Sequence, residues 1–284
     1  MKRIARVGLA ALGAVMILSG LSPLRERLFG RKRLRFPYLA QPLAEATYTR
    51  LGSQPGWARA ELEVAPTIKL RGLVRRSTSP GAPWVLYYPG NDESQLERGH
   101  GFLSRLAGDT DWGLAVFAYR GYDRSDGKPE LGALRTDAPV ILAKLCAAEG
   151  VPAARVHVVG FSIGGHFAVH AARGAAMQGQ PAATLTLLAS VDDIVMYHAS
   201  PWEKLSVGDD YQTRPLLAEV PAPVLVLQGT ADQALDGAGQ GRDIAKALGE
   251  RAEYHELPGV EHVPLLSDGP ALALVRKFIQ AHAQ

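Results

Sequence analysis

Val156-His157-Val158-Val159-Gly160-Phe161-Ser162-Ile163-Gly164-Gly165 is the stretch on which the reading of this chain turns. A valine-rich run ends at a glycine, a serine follows two residues later, and an alanine-rich segment begins after two more glycines. That pattern predicts a strand, a tight turn and a helix, with G-x-S-x-G at the turn. A serine at the tip of such a turn takes a backbone conformation unfavourable for any residue with a Cβ, and the flanking glycines let strand and helix pass closely. The helix N-terminus then lies under the serine, where its free N–H groups favour developing negative charge. Ser162 is therefore the candidate nucleophile. His166, four residues on, falls on the helix and reads as a packing or supporting residue.

A serine hydroxyl is a poor nucleophile at neutral pH and needs a positioned base. The run Val224–Gln228 ends in Gly229-Thr230-Ala231-Asp232, which puts a carboxylate at a strand tip. The run ending at Leu257 leads into Pro258-Gly259-Val260-Glu261-His262, which puts an imidazole at the next tip. The expected trio is Ser162, Asp232 and His262. Asp192 and Asp193, which follow the preceding strand, compete for the acid's place; Asp236 is near the tip too but reads as an entry residue of the next helix. His255 lies within a strand and reads as a core or edge histidine. His198 falls in a long inter-strand segment, where a solvated histidine is as good a reading as a substrate contact.

Upstream, the strand Trp84–Tyr88 leads into Pro89-Gly90-Asn91-Asp92. Gly90 permits close approach there, which makes the Asn91 N–H one candidate donor to an oxyanion. The N–H of Ile163, the residue after the serine, is the other.

Around these motifs strand-like and helical runs alternate. Glu61–Thr67 and Leu70–Arg75 predict a hairpin; Trp84–Tyr88, Gly113–Tyr119, Arg155–Gly160, Thr184–Ala189, Val224–Gln228 and Ala252–Leu257 predict further strands. Several are continuously apolar, as parallel strands covered on both faces are. Helices are expected at Ser94–Ala107, Leu131–Ala148, Gly164–Gln178, Gly239–Leu248 and Pro264–Ala281. The fold class is α/β, a doubly wound, mostly parallel sheet of about eight strands. Val191–Pro221 breaks the alternation and is the candidate lid.

Taken together, Pro89-Gly90-Asn91, Tyr119-Arg120-Gly121-Tyr122-Asp123-Arg124-Ser125-Asp126-Gly127, the turn at Ser162, Gly229–Asp232 and Gly259–His262 resemble the α/β-hydrolase superfamily. The likeness is to the group with an H-G-N oxyanion loop and an R-G-Y-G-x-S-x-G loop, and it runs from about residue 60 to the C-terminus. It implies a serine esterase, thioesterase, lipase or peptidase-like hydrolase that uses no cofactor. Pro89 stands where the group has histidine, and Asp123 stands where it has glycine, a position aspartate tolerates better than most residues.

Residues 1–35 carry nine Lys/Arg against one acid, Glu26, so the remaining chain has a net charge of −5 despite the overall +3. An acidic body with scattered arginines argues against nucleic-acid binding. Val7–Leu24 is an uncharged run of 18 residues flanked by basic clusters. It reads as an uncleaved membrane anchor, with a cleaved export signal as the alternative and a soluble apolar helix as a third reading. The expected organisation is residues 1–35 as anchor or signal, 36–60 as connector and 61–284 as the α/β-hydrolase domain, with 191–221 as its lid.

Cys146 is the single cysteine, so no intramolecular disulfide exists, and its apolar surroundings predict a buried packing residue. No metal-ligand spacing or phosphate loop is present. Gly237, Gly239 and Gly241 read as a helix entry rather than a dinucleotide site. The expected activity is cleavage of an ester, thioester or amide through an acyl-enzyme, on a small-molecule or lipid-like acyl substrate. Acyl transfer on the same trio, or a non-catalytic binding role for the fold, are the alternatives.

Overall fold

Continuously apolar strands can be buried only in a sheet covered on both faces, and that is how they are used. The structure is a computed structural model that describes residues 43–91, 94–194, 212–235 and 237–283. The chain forms α1 (Glu45–Gly52), β1 (Trp57–Ala65), β2 (Ile68–Arg75), β3 (Trp84–Tyr88), α2 (Gln95–Ala107), β4 (Gly113–Phe117) and α3 (Leu131–Glu149). It continues with β5 (Val156–Phe161), α4 (Ile163–Met177), β6 (Thr184–Leu188), the short α5 (Thr213–Leu216), β7 (Val224–Gly229), α6 (Gly239–Leu248), β8 (Ala252–Leu257) and α7 (Gly269–Ala281). All residues of β3 to β7 are buried.

The eight strands make one sheet in the order β1-β2-β4-β3-β5-β6-β7-β8. β1 and β2 form the expected hairpin, and β2 runs antiparallel to β4; every other pairing is parallel. The consequential feature is the position of β3. The chain leaves β3 for β4 on one side, then returns to place β5 on the other. Strand order reverses there, so the loops leaving the carboxyl ends of β3 and β5 lie side by side at the point where doubly wound sheets bind their ligands. Those two loops are Pro89–Asn91 and the Ser162 turn.

Two expectations are revised. The last helix does not begin at Pro264: a 3₁₀ turn covers Pro264–Leu266, and α7 starts at Gly269. Asp268 caps that start by accepting from the Ala271 N–H, and Pro270 sits in the first turn, where its missing donor costs nothing. Cys146 is half-buried rather than buried, a free thiol whose pKa is raised by desolvation.

Within the stretch read as a connector, α1 buries Tyr48 and Leu51. The Tyr48 hydroxyl donates to the carbonyl of Gly72 at 3.0 Å, tying α1 to the hairpin. The N-terminal basic and apolar segment, residues 195–211 of the expected lid (His198 among them), and Asp236 lie outside the described residues. No helix among the described residues is long and apolar enough to cross a membrane.

Candidate active site

Ser162 leaves β5 with φ 55° and ψ −126°, a conformation that strains any residue bearing a Cβ, by about 1–3 kcal/mol. Backbone hydrogen bonds hold it there. Its N–H donates to Leu188 O at 2.9 Å, while its carbonyl accepts from Gly165 N–H at 3.0 Å and Val191 N–H at 3.2 Å. The glycines do the steric work predicted for them. A Cβ on Gly164 would lie 2.1 Å from Tyr88 O and 2.3 Å from Pro89 O, and one on Gly160 would meet the Gly164 carbonyl at 2.5 Å. The turn is thus wedged against the end of β3.

Asp232 and His262 meet at the ends of β7 and β8. His262 Nδ1 lies 2.7 Å from Asp232 Oδ2. The loops that carry them are stitched together, with Thr230 N–H on Leu257 O, Ala231 N–H on Val260 O and Gly259 N–H on Thr230 Oγ1 at 2.9–3.1 Å. Asp232 is 1% exposed and accepts from Gln228 Nε2 (2.8 Å), Ala234 N–H (2.9 Å) and Leu235 N–H (3.0 Å) as well as His262. Burial alone would raise its pKa. The hydrogen bond and charge of His262, then the Leu235 and Gln228 donors, outweigh burial and leave it lowered, so the carboxylate stays ionised. The His262 ring packs at a 40° tilt against Phe161, the residue before Ser162, with centroids 4.7 Å apart. With Nδ1 bound to the acid, Nε2 is the nitrogen left to exchange a proton.

On the other side of the serine, a Cβ on Gly90 would stand 3.4 Å from Ser162 Cβ, which locates the Pro89–Asn91 loop directly beside it. That loop is held from outside. Tyr119 Oη donates to Pro89 O at 2.8 Å, Gln95 Nε2 to Gly90 O at 3.0 Å, and Tyr122 Oη to Asn91 Oδ1 at 2.6 Å. Asp123 adopts φ 45° and its Oδ2 accepts from Leu96 N–H at 2.7 Å, satisfying a free donor in the first turn of α2.

Among the described residues, the other candidates for the acid and base roles have partners of their own. Asp192 is ion-paired with Arg214 at 2.6 Å, and desolvation raises its pKa despite that partner. Asp193 Oδ2 accepts from Gln212 Nε2 at 3.5 Å in an exposed hydrogen bond. His255 pairs with Glu253 on the edge strand β8. His166 is fully buried under α5, its Nδ1 3.1 Å from Thr213 Oγ1 and its Nε2 3.2 Å from His170 Nε2.

No family model matches the chain. Two Mycobacterium tuberculosis proteins, named Uncharacterized protein Rv2307c and Uncharacterized protein MT2364, are each 32% identical to it over 226 residues, covering 77% of this chain and 77% of theirs. The chain belongs to their family. Among solved structures, this family member is similar to an alpha-beta hydrolase from Vibrio vulnificus, with a TM-score of 0.67 and 20% identity over 91% of this chain and 90% of that one. Carboxyl esterase 2 from Tuber melanosporum matches with a TM-score of 0.64 and 15% identity, over 86% of this chain and 100% of the esterase. A Pyrococcus furiosus esterase gives 0.63 and 14%, over 88% and 100%. These likenesses show an α/β-hydrolase fold with an eight-stranded, mostly parallel sheet.

Gln228, Gln95, Tyr119 and Tyr122 were not singled out from the sequence for any role at the site. Gln228 does carry a signal: an uncharged but strongly polar side chain closing an apolar strand, four residues before Asp232. Gln95 and the two tyrosines carried none, because their partners are 5 to 31 residues away and set by packing.

Proposed function

We propose that this protein is a serine hydrolase that cleaves an ester, thioester or amide through an acyl-enzyme on Ser162. The observation that carries the reading is the His262–Asp232 hydrogen bond, with the acid buried and ionised and the imidazole ring against the residue preceding Ser162. His262 Nε2 takes the Ser162 hydroxyl proton as Oγ attacks the acyl carbon. The carbonyl π electrons move to oxygen, and the Asn91 and Ile163 N–H groups hold the resulting charge. The imidazolium returns the proton to the leaving alcohol, thiol or amine as that bond breaks. Water, deprotonated by His262, then attacks the acyl-enzyme; collapse of that intermediate breaks the bond to Ser162 Oγ, which takes the proton back. Asp232 stays ionised throughout and holds the ring orientation.

The substrate proposed is a small-molecule or lipid-like acyl compound, with the protein held at a membrane by Val7–Leu24. Both statements rest on the apolar run and its basic flanks.

The test is reaction of the purified chain with a tagged fluorophosphonate, followed by peptide mapping. Label on Ser162 that is lost in Ser162→Ala supports the reading. Folded protein that takes no label on Ser162 overturns it.

A further inference from the structure

An oxyanion hole made of backbone donors is only as good as the rigidity of the loop that carries them, because a misplaced donor stabilises nothing. In this chain one half comes from the start of α4 and is fixed by the helix itself. The other half, Asn91, sits on a loop with no regular secondary structure. Three consecutive residues of that loop are nonetheless each tied to a side chain. Pro89 O is held by Tyr119, Gly90 O by Gln95, and Asn91 Oδ1 by Tyr122.

Two of the three ties come from the loop after β4, and the third, from the start of α2, is joined to that loop. Tyr119 and Tyr122 are neighbours in the loop after β4, with ring centroids 6.2 Å apart, edge to face. Gln95 belongs to the same brace, since its Oε1 accepts from Tyr119 N–H at 2.8 Å. Tyr119 also packs edge-on against Phe167 of α4, with centroids 5.1 Å apart. Asp123 closes the assembly on Leu96 N–H. All of these side chains are buried, with Tyr122 and Gln95 at 0% exposure. One loop therefore grips both the helix that follows Ser162 and the loop that faces it.

We propose that Tyr122 is a positioning residue of the oxyanion hole, acting through its hydrogen bond to the Asn91 side chain to hold the Asn91 N–H in place. The proposal rests on the reading of Ser162 as nucleophile and Asn91 as donor. The tyrosine touches no reacting atom. Its hydroxyl fixes the Asn91 side chain while Gln95 and Tyr119 fix the two carbonyls before it, so the peptide N–H between Gly90 and Asn91 keeps its direction as charge develops. The group that carries glycine at position 123 lacks the aspartate carboxylate, and here that carboxylate secures the loop to α2.

The test uses the full chain with a tagged fluorophosphonate, whose phosphoryl oxygen needs the same donors, and with p-nitrophenyl butyrate. Wild type, Tyr122→Phe, Asn91→Ala and the double variant are compared; Asn91→Ala keeps the backbone N–H but removes the tether. Each single variant is expected to lose about 10- to 100-fold in Ser162 labelling rate and in kcat, with KM within about twofold and the thermal midpoint little moved. The double variant is expected to be no slower than the worse single, since both remove one interaction. Wild-type labelling rate in Tyr122→Phe overturns the proposal, as do losses that multiply in the double variant. Should Tyr122→Phe fail to fold, Asn91→Ala decides alone: full activity there overturns it. Absence of Ser162 labelling in the wild type instead overturns the functional reading itself, and the proposal falls with it.

Discussion

β5 brings a histidine into the core at one end and leads into a half-buried serine at the other, and the two ends treat imidazoles in opposite ways. Near its start, His157 is 1% exposed and its Nδ1 meets only a hydroxyl, Thr184 Oγ1 at 2.9 Å. Its Nε2 has no hydrogen-bond partner among the described residues. Burial, with a smaller contribution from His282, pushes its pKa down to about 4, so the ring is a neutral packing element. Past the other end, His262 meets a carboxylate, Asp232, that four donors keep ionised although it too is buried. The difference lies in the partner: a hydroxyl is indifferent to a proton on the ring, whereas an ionised carboxylate stabilises the imidazolium that forms as a serine is deprotonated.

The largest effect is expected from making the second site resemble the first. Asp232→Asn leaves His262 with a neutral partner and is expected to lower kcat for p-nitrophenyl butyrate by about ten-thousand-fold, with the fold retained by circular dichroism. Activity within tenfold of wild type would mean that the ionised partner of His262 has no catalytic role.

The next effect belongs to His157 and is read as stability. Its folded pKa lies below the unfolded value of about 6.5, so the unfolded chain takes the proton first. The contribution is complete above pH 6.5 and is lost progressively as the pH falls towards 4, to a total of about 3 kcal/mol. Urea unfolding of His157→Leu should show a flatter dependence over that window than wild type; parallel curves would show that His157 does not titrate in this way.

Gly164→Ala comes third. The added methyl would press on the carbonyls of Tyr88 and Pro89, and a cost of about 1–3 kcal/mol in urea unfolding is expected, with slower Ser162 labelling as the two loops part. The smallest effect is expected from Gln228→Met, which removes one donor from Asp232 Oδ2 while keeping the volume. A loss of about tenfold in kcat at unchanged KM is expected, one hydrogen bond to a charged group. No change would mean that the two backbone donors alone suffice to hold the acid.

Much of the fold was legible because its signals are local. Largely apolar runs marked β3 to β7, and the glycine-serine-glycine spacing marked the turn. The helix Gly239–Leu248 was read with its bounds. The candidate acid and base were legible as residues just past strand ends, and the sequence left Asp192 and Asp193 open as alternatives to Asp232. In the fold Asp192 is ion-paired with Arg214, 22 residues along the chain, a partner that no local signal announces. The missed start of α7 was legible in principle, since Asp268-Gly269-Pro270 is a helix-start signal that the preceding apolar residues masked. The brace of Gln95, Tyr119 and Tyr122 was not, because buried tyrosines read from sequence only as core.

What the sequence by itself determined is the set of local geometries. A valine-rich run must extend, a serine between glycines must turn sharply, and a carboxylate and an imidazole just past strand ends must emerge in loops on the same edge of a parallel sheet. These follow from backbone sterics and side-chain period, which act over a few residues. The tertiary structure decided who meets whom. Placing β3 between β4 and β5 set the Asn91 loop beside Ser162, and packing of the β4 loop against α2 delivered a tyrosine hydroxyl to the Asn91 side chain. Those contacts join residues that local rules do not relate, and only the burial of one sheet under two layers of helices brings them together.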